Sequence, residues 1–336
     1  MKINEAIDKL ANNQDLTEDQ TREVLNIIMQ GNATDSQIAG FLLALRTKGE
    51  TVEEITGSVR ALLDNITNRV DIKETDNLID IVGTGGDGGR TFNISTCSAI
   101  IAAAGGAKVA KHGNRAVSSK SGAADVLEAL NIPINLDKNQ AKNEIEDKGM
   151  AFLLAPNYHK AMKHVGGVRK ELGVRTLFNL MGPIINPSPL KGELMGVYDS
   201  KLCMTCAKVL QNIGLERALV VAGDDGLDEI TVTTTTTACL ADGDKVEMIK
   251  IDPRDYGIEL CDISQIDGGA PEENANTIID ILKGKKGPKR DIVLMNAGAS
   301  LYVAKIANSI KDGIEMAREL IDSNKAYEKY LEIKIS

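Results

Sequence analysis

The chain has 336 residues, of which 43 % are hydrophobic and 26 % charged, with a formal net charge of −9. That length buries a large core and predicts two domains. The acidic balance argues against nucleic acid as main partner, because backbone binding needs a broad basic face. No apolar run approaches the length of a membrane span. The first ten residues carry acidic side chains and no apolar h-region, which predicts no signal peptide. Five cysteines, an odd number, predict reduced thiols and a cytoplasmic protein. With no Trp and four Phe, the core must rest on aliphatic residues.

The first ~65 residues read as a helical bundle. Thr17-x-x-Gln20, Thr34-x-x-Gln37 and Thr51-x-x-Glu54 are three capping boxes. Each opens a segment with apolar residues at helical spacing, and Gly31 and Gly49 close the first two. From Leu78 the pattern changes to short strands alternating with helices. Strands are expected at 78–82, 107–110, 150–154, 193–198 and 217–222. Helices are expected near 95–104, 122–130, 138–148, 201–213, 271–283 and 298–306. Residues 158–180 read as a longer helical stretch that packs back on the bundle. Cys203 and Cys206, a lone CxxC in a helix, read as buried thiols rather than a zinc site. Two further strands, 229–240 and 245–251, flank the hairpin turn Asp242-Gly243. The threonine run 233–237 belongs to the first of them on β-propensity alone. The basic run from Lys283 to Arg290, punctuated by Gly and Pro, reads as a solvated loop. The fold class is therefore α/β: an N-terminal helical bundle plus a larger, mainly parallel α/β domain.

The chemistry concentrates between residues 83 and 122. GTGGDGG, starting at Gly83, follows the apolar run 78–82, so its backbone can approach an anionic ligand closely. Asn93 to Thr96 stand where the next helix begins, and either Ser95 or Thr96 could serve as N-cap or as part of an anion site. KHGNRAVSSK, from Lys111 to Lys120, places charge and directed donors after the next strand. Two such loops suggest a ligand with two separated phosphate groups. Asp224, Asp225, Asp228 and Glu229 follow the strand 217–222 and form a candidate Mg²⁺ or Ca²⁺ site. Arg169 and Arg175, in the helical stretch, are the residues suited to a carboxylate.

The strings GTGGDGGRTFNIST, KHGNRAVSSKSGAADVLEALN, VRKELGVRTLFNLMGPIINP, GLDE and LMNAGA closely resemble the anthranilate phosphoribosyltransferase family over nearly the whole chain. The resemblance implies a nucleoside phosphorylase/phosphoribosyltransferase-like fold. It has a small helical domain at 1–72, joined by the segment 158–182, and an α/β domain at 73–157 and 183–336. It implies a homodimer through the helical part, acting in tryptophan biosynthesis. Carried over, it assigns phosphoribosyl pyrophosphate to Gly83, Gly86, Asp87, Thr91, Asn93, Ile94, Ser95 and Thr96. It gives the same ligand to Lys111, His112, Gly113, Asn114, Arg115, Ala116, Val117, Ser118, Ser119 and Ala123. Ala123 stands where many members have Ser. Anthranilate falls to Gly83, His112, Asn114, Tyr158, His159 and Arg169, and Mg²⁺ to Ser95, Asp228 and Glu229. No catalytic acid or base is assigned. Two other readings share the architecture: a pyrimidine nucleoside phosphorylase, and a non-catalytic nucleic-acid-binding relative. The GLDE carboxylates and Arg169 speak against the first, and the −9 charge against the second.

Overall fold

The computed structural model describes residues 1–73, 75–85, 89–116 and 121–335. Four helices come first: α1 (Ile3–Ala11), α2 (Glu18–Met29), α3 (Asp35–Lys48) and α4 (Val52–Asp64). The three expected capping boxes start α2, α3 and α4. In each, the threonine hydroxyl accepts from the amide three residues on, at 3.3, 3.3 and 3.2 Å. Each such cap contributes about 1 kcal/mol. Glu54 does more than cap. Its buried carboxylate also accepts from Leu16 N at 2.9 Å and Lys48 Nζ at 3.0 Å, tying α4 to the α1–α2 connection and to α3.

The chain then alternates: β1 (Leu78–Gly83), α5 (Ile94–Ala104), β2 (Lys108–Gly113), α6 (Ala123–Ala129), α7 (Lys138–Lys148) and β3 (Met150–Leu154). Three short helices follow, α8 (Ala155–Tyr158), α9 (Lys163–Leu172) and α10 (Phe178–Ile184). Next come β4 (Gly192–Gly196), α11 (Leu202–Asn212), β5 (Arg217–Gly223), β6 (Thr236–Asp242) and β7 (Lys245–Ile251). The chain closes with α12 (Pro271–Leu282), α13 (Pro288–Val303), α14 (Ile310–Asp322) and α15 (Lys325–Ile333). The strands form one sheet in the order β3-β2-β1-β4-β5-β6-β7. The first five are parallel, and β6 and β7 are antiparallel. The order reverses between β1 and β4, where Gly83 sits opposite Gly196. Ligands in open α/β sheets bind at the carboxyl ends of strands beside such a reversal.

Alternation along the strands splits the core. Ile79, Ile81, Val109, Leu194 and Leu219 face α5, α6 and the C-terminal helices. Met195, Val197, Ala218, Val220 and Ala222 face α11, and that cluster runs on without a break into α1–α4, α9 and α10. Helix α9 packs on α2 and α3, as expected for part of 158–180. That stretch is not one helix, however. A 3₁₀ turn at Lys160–Met162 precedes α9, and Gly173, at φ +61°, ends it.

Three other expectations change. The first strand of the hairpin begins at Thr236, not near 229, because Thr231, Thr233 and Thr235 hydrogen-bond to the acidic turn before them instead of a neighbouring strand. The helix expected near 298–306 begins at Pro288, whose missing N–H suits a first helical turn. Part of the basic run is thereby buried: Arg290 is 4 % exposed and pairs with Asp322 on α14 at 2.7 Å. Helices α14 and α15 have no counterpart among the expected elements. All five cysteines are free, and Cys203 and Cys206 are buried on α11 as expected. Among the described residues no helix is long and apolar enough to cross a membrane.

Candidate active site

Two joined cavities, of about 560 and 610 Å³, open at the carboxyl ends of β1, β2 and β4. They share Val82, Gly83, Thr84, His112, Gly113, Asn114, Arg169 and Asn179. Both volumes are typical of small-molecule sites.

The first cavity is polar. Thr91, Asn93, Ile94, Ser95, Lys111, Arg115, Ala116, Ala123, Asp228 and Glu229 line it with the shared residues. Helix α5 starts at Ile94, so Ser95 and Thr96 lie inside its first turn and Asn93 takes the cap position. The Asn93 side chain does not cap the helix. Its oxygen accepts from Ser121 Oγ at 3.2 Å and Asn274 Nδ2 at 3.1 Å, fastening the start of α5 to α12. Lys111 is 2 % exposed, and its Nζ donates to Ile81 O at 2.5 Å and Ser95 Oγ at 3.2 Å. Burial lowers its pKa, opposed by the charges of Asp80 and Glu229. Asp80 lies beneath, fully buried. Burial pushes its pKa up to about 6 against the pull of Lys111 and of hydrogen bonds from Asn186, His112 and Ile81.

Asp228 reaches this cavity through two glycines. A Cβ on Gly196 would stand 1.7 Å from the Asp228 carbonyl oxygen, and one on Gly83 would stand 2.7 Å from its Oδ2. The carboxylate accepts the Gly85 amide at 2.7 Å, so it rests on the glycine-rich loop itself. The four-carboxylate cluster expected from sequence divides. Asp228 and Glu229 face the cavity, whereas Asp224 pairs with Lys250, Thr235 and Thr237 and Asp225 with Thr231 and Thr233. No cluster of three or more metal-ligating His, Cys, Asp or Glu exists among the described residues. Ser95, Asp228 and Glu229 offer hard oxygen ligands on the wall of one polar cavity. Such a set fits Mg²⁺, which takes one or two carboxylates and completes its shell with water and substrate phosphate.

The second cavity is mostly apolar, walled by Ala155, Pro156, Met162, Phe178, Met181 and Pro183. His112 and His159 bring polar edges into it, with their Nε2 atoms 3.1 Å apart. Burial pushes His112 down to about 3 and His159 to about 4, so both rings are neutral at pH 7. Arg169, on α9, lines both cavities, with its guanidinium over the Phe178 ring at 5.2 Å from the centroid. Burial lowers its pKa. Arg175 stacks over Tyr198, 4.1 Å from the ring centroid, and both line the polar cavity.

A polar, lysine-bearing cavity joined to a mostly apolar one suits two chemically different ligands, and the relatives decide which family this is. Residues 75–327 match the α/β domain of a glycosyl transferase family, and residues 4–66 match its helical bundle domain. Anthranilate phosphoribosyltransferase of Clostridium beijerinckii is 58 % identical over 333 residues, 99 % of this chain and 98 % of that protein. The Clostridium kluyveri enzyme of the same name is 54 % identical over 98 % of both. The chain belongs to the anthranilate phosphoribosyltransferase family. The Thermus thermophilus family member superposes with a TM-score of 0.91 at 38 % identity, covering 98 % of each chain. The Saccharomyces cerevisiae enzyme, solved with phosphoribosyl pyrophosphate and Mg, gives 0.88 at 30 % identity over 98 % of this chain and 96 % of that one.

Some residues that the family resemblance implies do not reach the cavities. Tyr158 turns into the core, where its hydroxyl donates to Leu136 O at 3.3 Å, and it lines a separate cavity. Thr96, in the first turn of α5, is fully buried and lines neither cavity. Arg115 does line the polar cavity, but its guanidinium grips Glu128 of α6 at 2.6 and 2.7 Å. Gly86, Asp87, Val117, Ser118 and Ser119 lie outside the described residues. The apolar wall of Phe178, Met181 and Pro183 was missed as a site. Its signal was the string LFNLMGP, a largely apolar run that starts two residues after Arg175 and ends in Gly and Pro.

Proposed function

We propose that this chain transfers the phosphoribosyl group of phosphoribosyl pyrophosphate to the amine of anthranilate, giving N-(5-phosphoribosyl)anthranilate and pyrophosphate, in tryptophan biosynthesis. The observation that carries this reading is the meeting of a polar, lysine-bearing cavity and an apolar one at Gly83, Asn114 and Arg169. The donor's pyrophosphate belongs in the first and the aromatic ring in the second.

In the reaction the amine lone pair forms a bond to ribose C1. The C1–O bond breaks with its electrons leaving on pyrophosphate, and the amine then loses a proton. Lys111, held beside Ser95, supplies positive charge where the leaving group gains negative charge. The first turn of α5 contributes its dipole, but only ~0.3–1 kcal/mol when exposed. Bound Mg²⁺, held by Ser95, Asp228 and Glu229, would neutralise phosphate charge. Gly83, Thr91, Asn93, Ile94, Gly113, Asn114, Ala116 and Ala123 surround the donor, with Ala123 contributing no hydroxyl. Asn114, Arg169 and the two histidines orient the acceptor, and Arg169 recognises its carboxylate. The walls of the apolar cavity exclude water that would hydrolyse the donor.

The proposal includes a division into a helical domain at 1–72, linked by 158–182, and an α/β domain comprising the rest. It includes a cytoplasmic homodimer formed through the helical part, which sedimentation at micromolar concentration tests. The activity itself is tested by the loss of anthranilate fluorescence with phosphoribosyl pyrophosphate and Mg²⁺. No loss with folded protein refutes it.

A further inference from the structure

The threonine run and the LMNAGA string have no part in the chemistry above, yet both converge on one short segment. Upstream of Asp228, the turn is closed by Gly223 N donating to Leu227 O at 2.8 Å and Gly226 N to Gly223 O at 2.9 Å. Asp225 locks that turn. One of its oxygens accepts the Leu227 amide at 3.2 Å. The other accepts from the Thr231 hydroxyl at 2.6 Å and from the Thr233 hydroxyl. Downstream, Asn296 on α13 is fully buried and grips Ile230 from both sides. Its oxygen accepts Ile230 N at 3.0 Å, and its amide donates to Ile230 O at 2.9 Å and Ile292 O at 2.8 Å. Asp228 and Glu229 are the two residues between these fixed points, Leu227 and Ile230.

We propose that Asp225, through Thr231 and Thr233, and Asn296, through the Ile230 backbone, are positioning residues that hold the Asp228–Glu229 carboxylates at the polar cavity for a divalent cation. The inference rests on the reading of those two carboxylates as metal ligands. Neither Asp225 nor Asn296 touches the cavity. A turn carboxylate with no such duty would face water, where charge is cheapest. Asp225 instead binds two hydroxyls and an amide, each fixing one strand of the loop that flanks the ligands. Buried amides are costly to leave unpaired, so the three-bond Asn296 clamp has one stable arrangement. Partners that orient metal ligands typically matter 10–100-fold in metal affinity.

The test uses Mn²⁺ as the probe, with its binding followed by electron paramagnetic resonance in the presence of phosphoribosyl pyrophosphate. Asp225→Asn keeps the shape and removes the charge. It should weaken Mn²⁺ binding about tenfold and raise the Mg²⁺ concentration needed for half-maximal rate by the same factor, leaving the KM for anthranilate unchanged. Thr231→Val with Thr233→Val, which keeps the carboxylate, should reproduce the defect if Asp225→Asn folds poorly. Asn296→Asp, which keeps the acceptor but not the donors, should also weaken Mn²⁺ binding. A lowered melting temperature with unaltered Mn²⁺ affinity in these folded variants means that Asp225 and Asn296 are structural only, and overturns the proposal. Asp228→Asn is the control for the underlying reading. If it too binds Mn²⁺ normally, the metal assignment fails and takes the positioning role with it. If it alone loses Mn²⁺, only the positioning role fails.

Discussion

The ring nitrogens of His112 and His159 face each other at 3.1 Å, at the end of β2 and just beyond α8, with both rings buried. The rings also meet backbone carbonyls, His112 that of Gly182 and His159 that of Ile185. Protonating both rings would set two like charges against each other across this contact. Burial is the main cause of both depressed pKa values, and for His112 its histidine neighbour is the next.

This pair makes stability depend on pH with a defined sign. In the unfolded chain each histidine takes a proton near pH 6.5. In the folded chain it does so only near 3 or 4. The stabilisation is present above pH 6.5 and is lost as pH falls toward 4. Melting temperature should therefore drop between pH 7 and 4.5, and His159→Gln should flatten that slope. One pKa unit corresponds to ~1.4 kcal/mol, so an effect of more than about 1 kcal/mol is expected in thermal scans. An identical slope in the variant would mean that other groups govern the acid transition.

Arg169→Ala should raise the KM for anthranilate roughly ten- to a hundred-fold, since a charged hydrogen bond is worth ~1.5–3 kcal/mol. The KM for phosphoribosyl pyrophosphate should change little, because Lys111 and the loops after β1 and β2 are untouched. Steady-state kinetics with each substrate varied in turn separates the two constants. The reverse pattern would assign this arginine to the donor.

Asp228→Asn with Glu229→Gln should lower kcat by about 10²–10³, the usual loss when one electrostatic stabiliser is removed. Asp228 also accepts the Gly85 amide, a bond that asparagine retains, so circular dichroism should be unchanged. A normal response to Mg²⁺ in the folded variant would exclude these residues as metal ligands.

Glu193→Gln should stabilise the protein. Glu193 is fully buried on β4 beside Asp80 in the sheet register, and neither carboxyl oxygen has a hydrogen-bond partner among the described residues. Burial, with the Asp80 charge second, raises its pKa well above the ordinary value. A raised acid costs stability as pH climbs above the unfolded value near 4.5. The variant's advantage should appear above that pH and persist to pH 8. Equal melting temperatures at pH 4 and a gap of several degrees at pH 8 are the expected outcome. A less stable variant at pH 8 would mean that the charged carboxylate has a role in the fold.

What the sequence disclosed was local. The capping boxes at Thr17, Thr34 and Thr51 need only a hydroxyl and a partner three residues away, and all three formed. Strands β1, β2 and β5 announced themselves as the short apolar runs expected at 78–82, 107–110 and 217–222. Expectations failed where the deciding partner was distant. Thr233 and Thr235 carry β-propensity, but Asp225 and Asp224 claim their hydroxyls before a strand can form. Arg290 sits in a string that reads as solvated until Asp322 of α14 pairs with it. Helix α14 was legible in principle from Ser309 and the spacing of Ile310, Ile314, Ala317 and Ile321, and went unread. The resemblance placed Tyr158 at the site together with His159. Neighbours at the end of a four-residue helix point in different directions, and Tyr158 turns inward to Leu136.

The unbroken apolar layer that joins α1–α4 to α11 and one face of the sheet has a consequence for how this molecule comes apart. Leu62 and Val59 of the bundle belong to the same packed cluster as Cys206 and Val220. Peeling the helices away would bare the underside of the sheet to water, at roughly 25 cal/mol for each Å² of apolar surface. The N-terminal 65 residues therefore have no melting point of their own. Calorimetry should record one endotherm for the entire chain, and a fragment lacking the bundle should aggregate rather than fold.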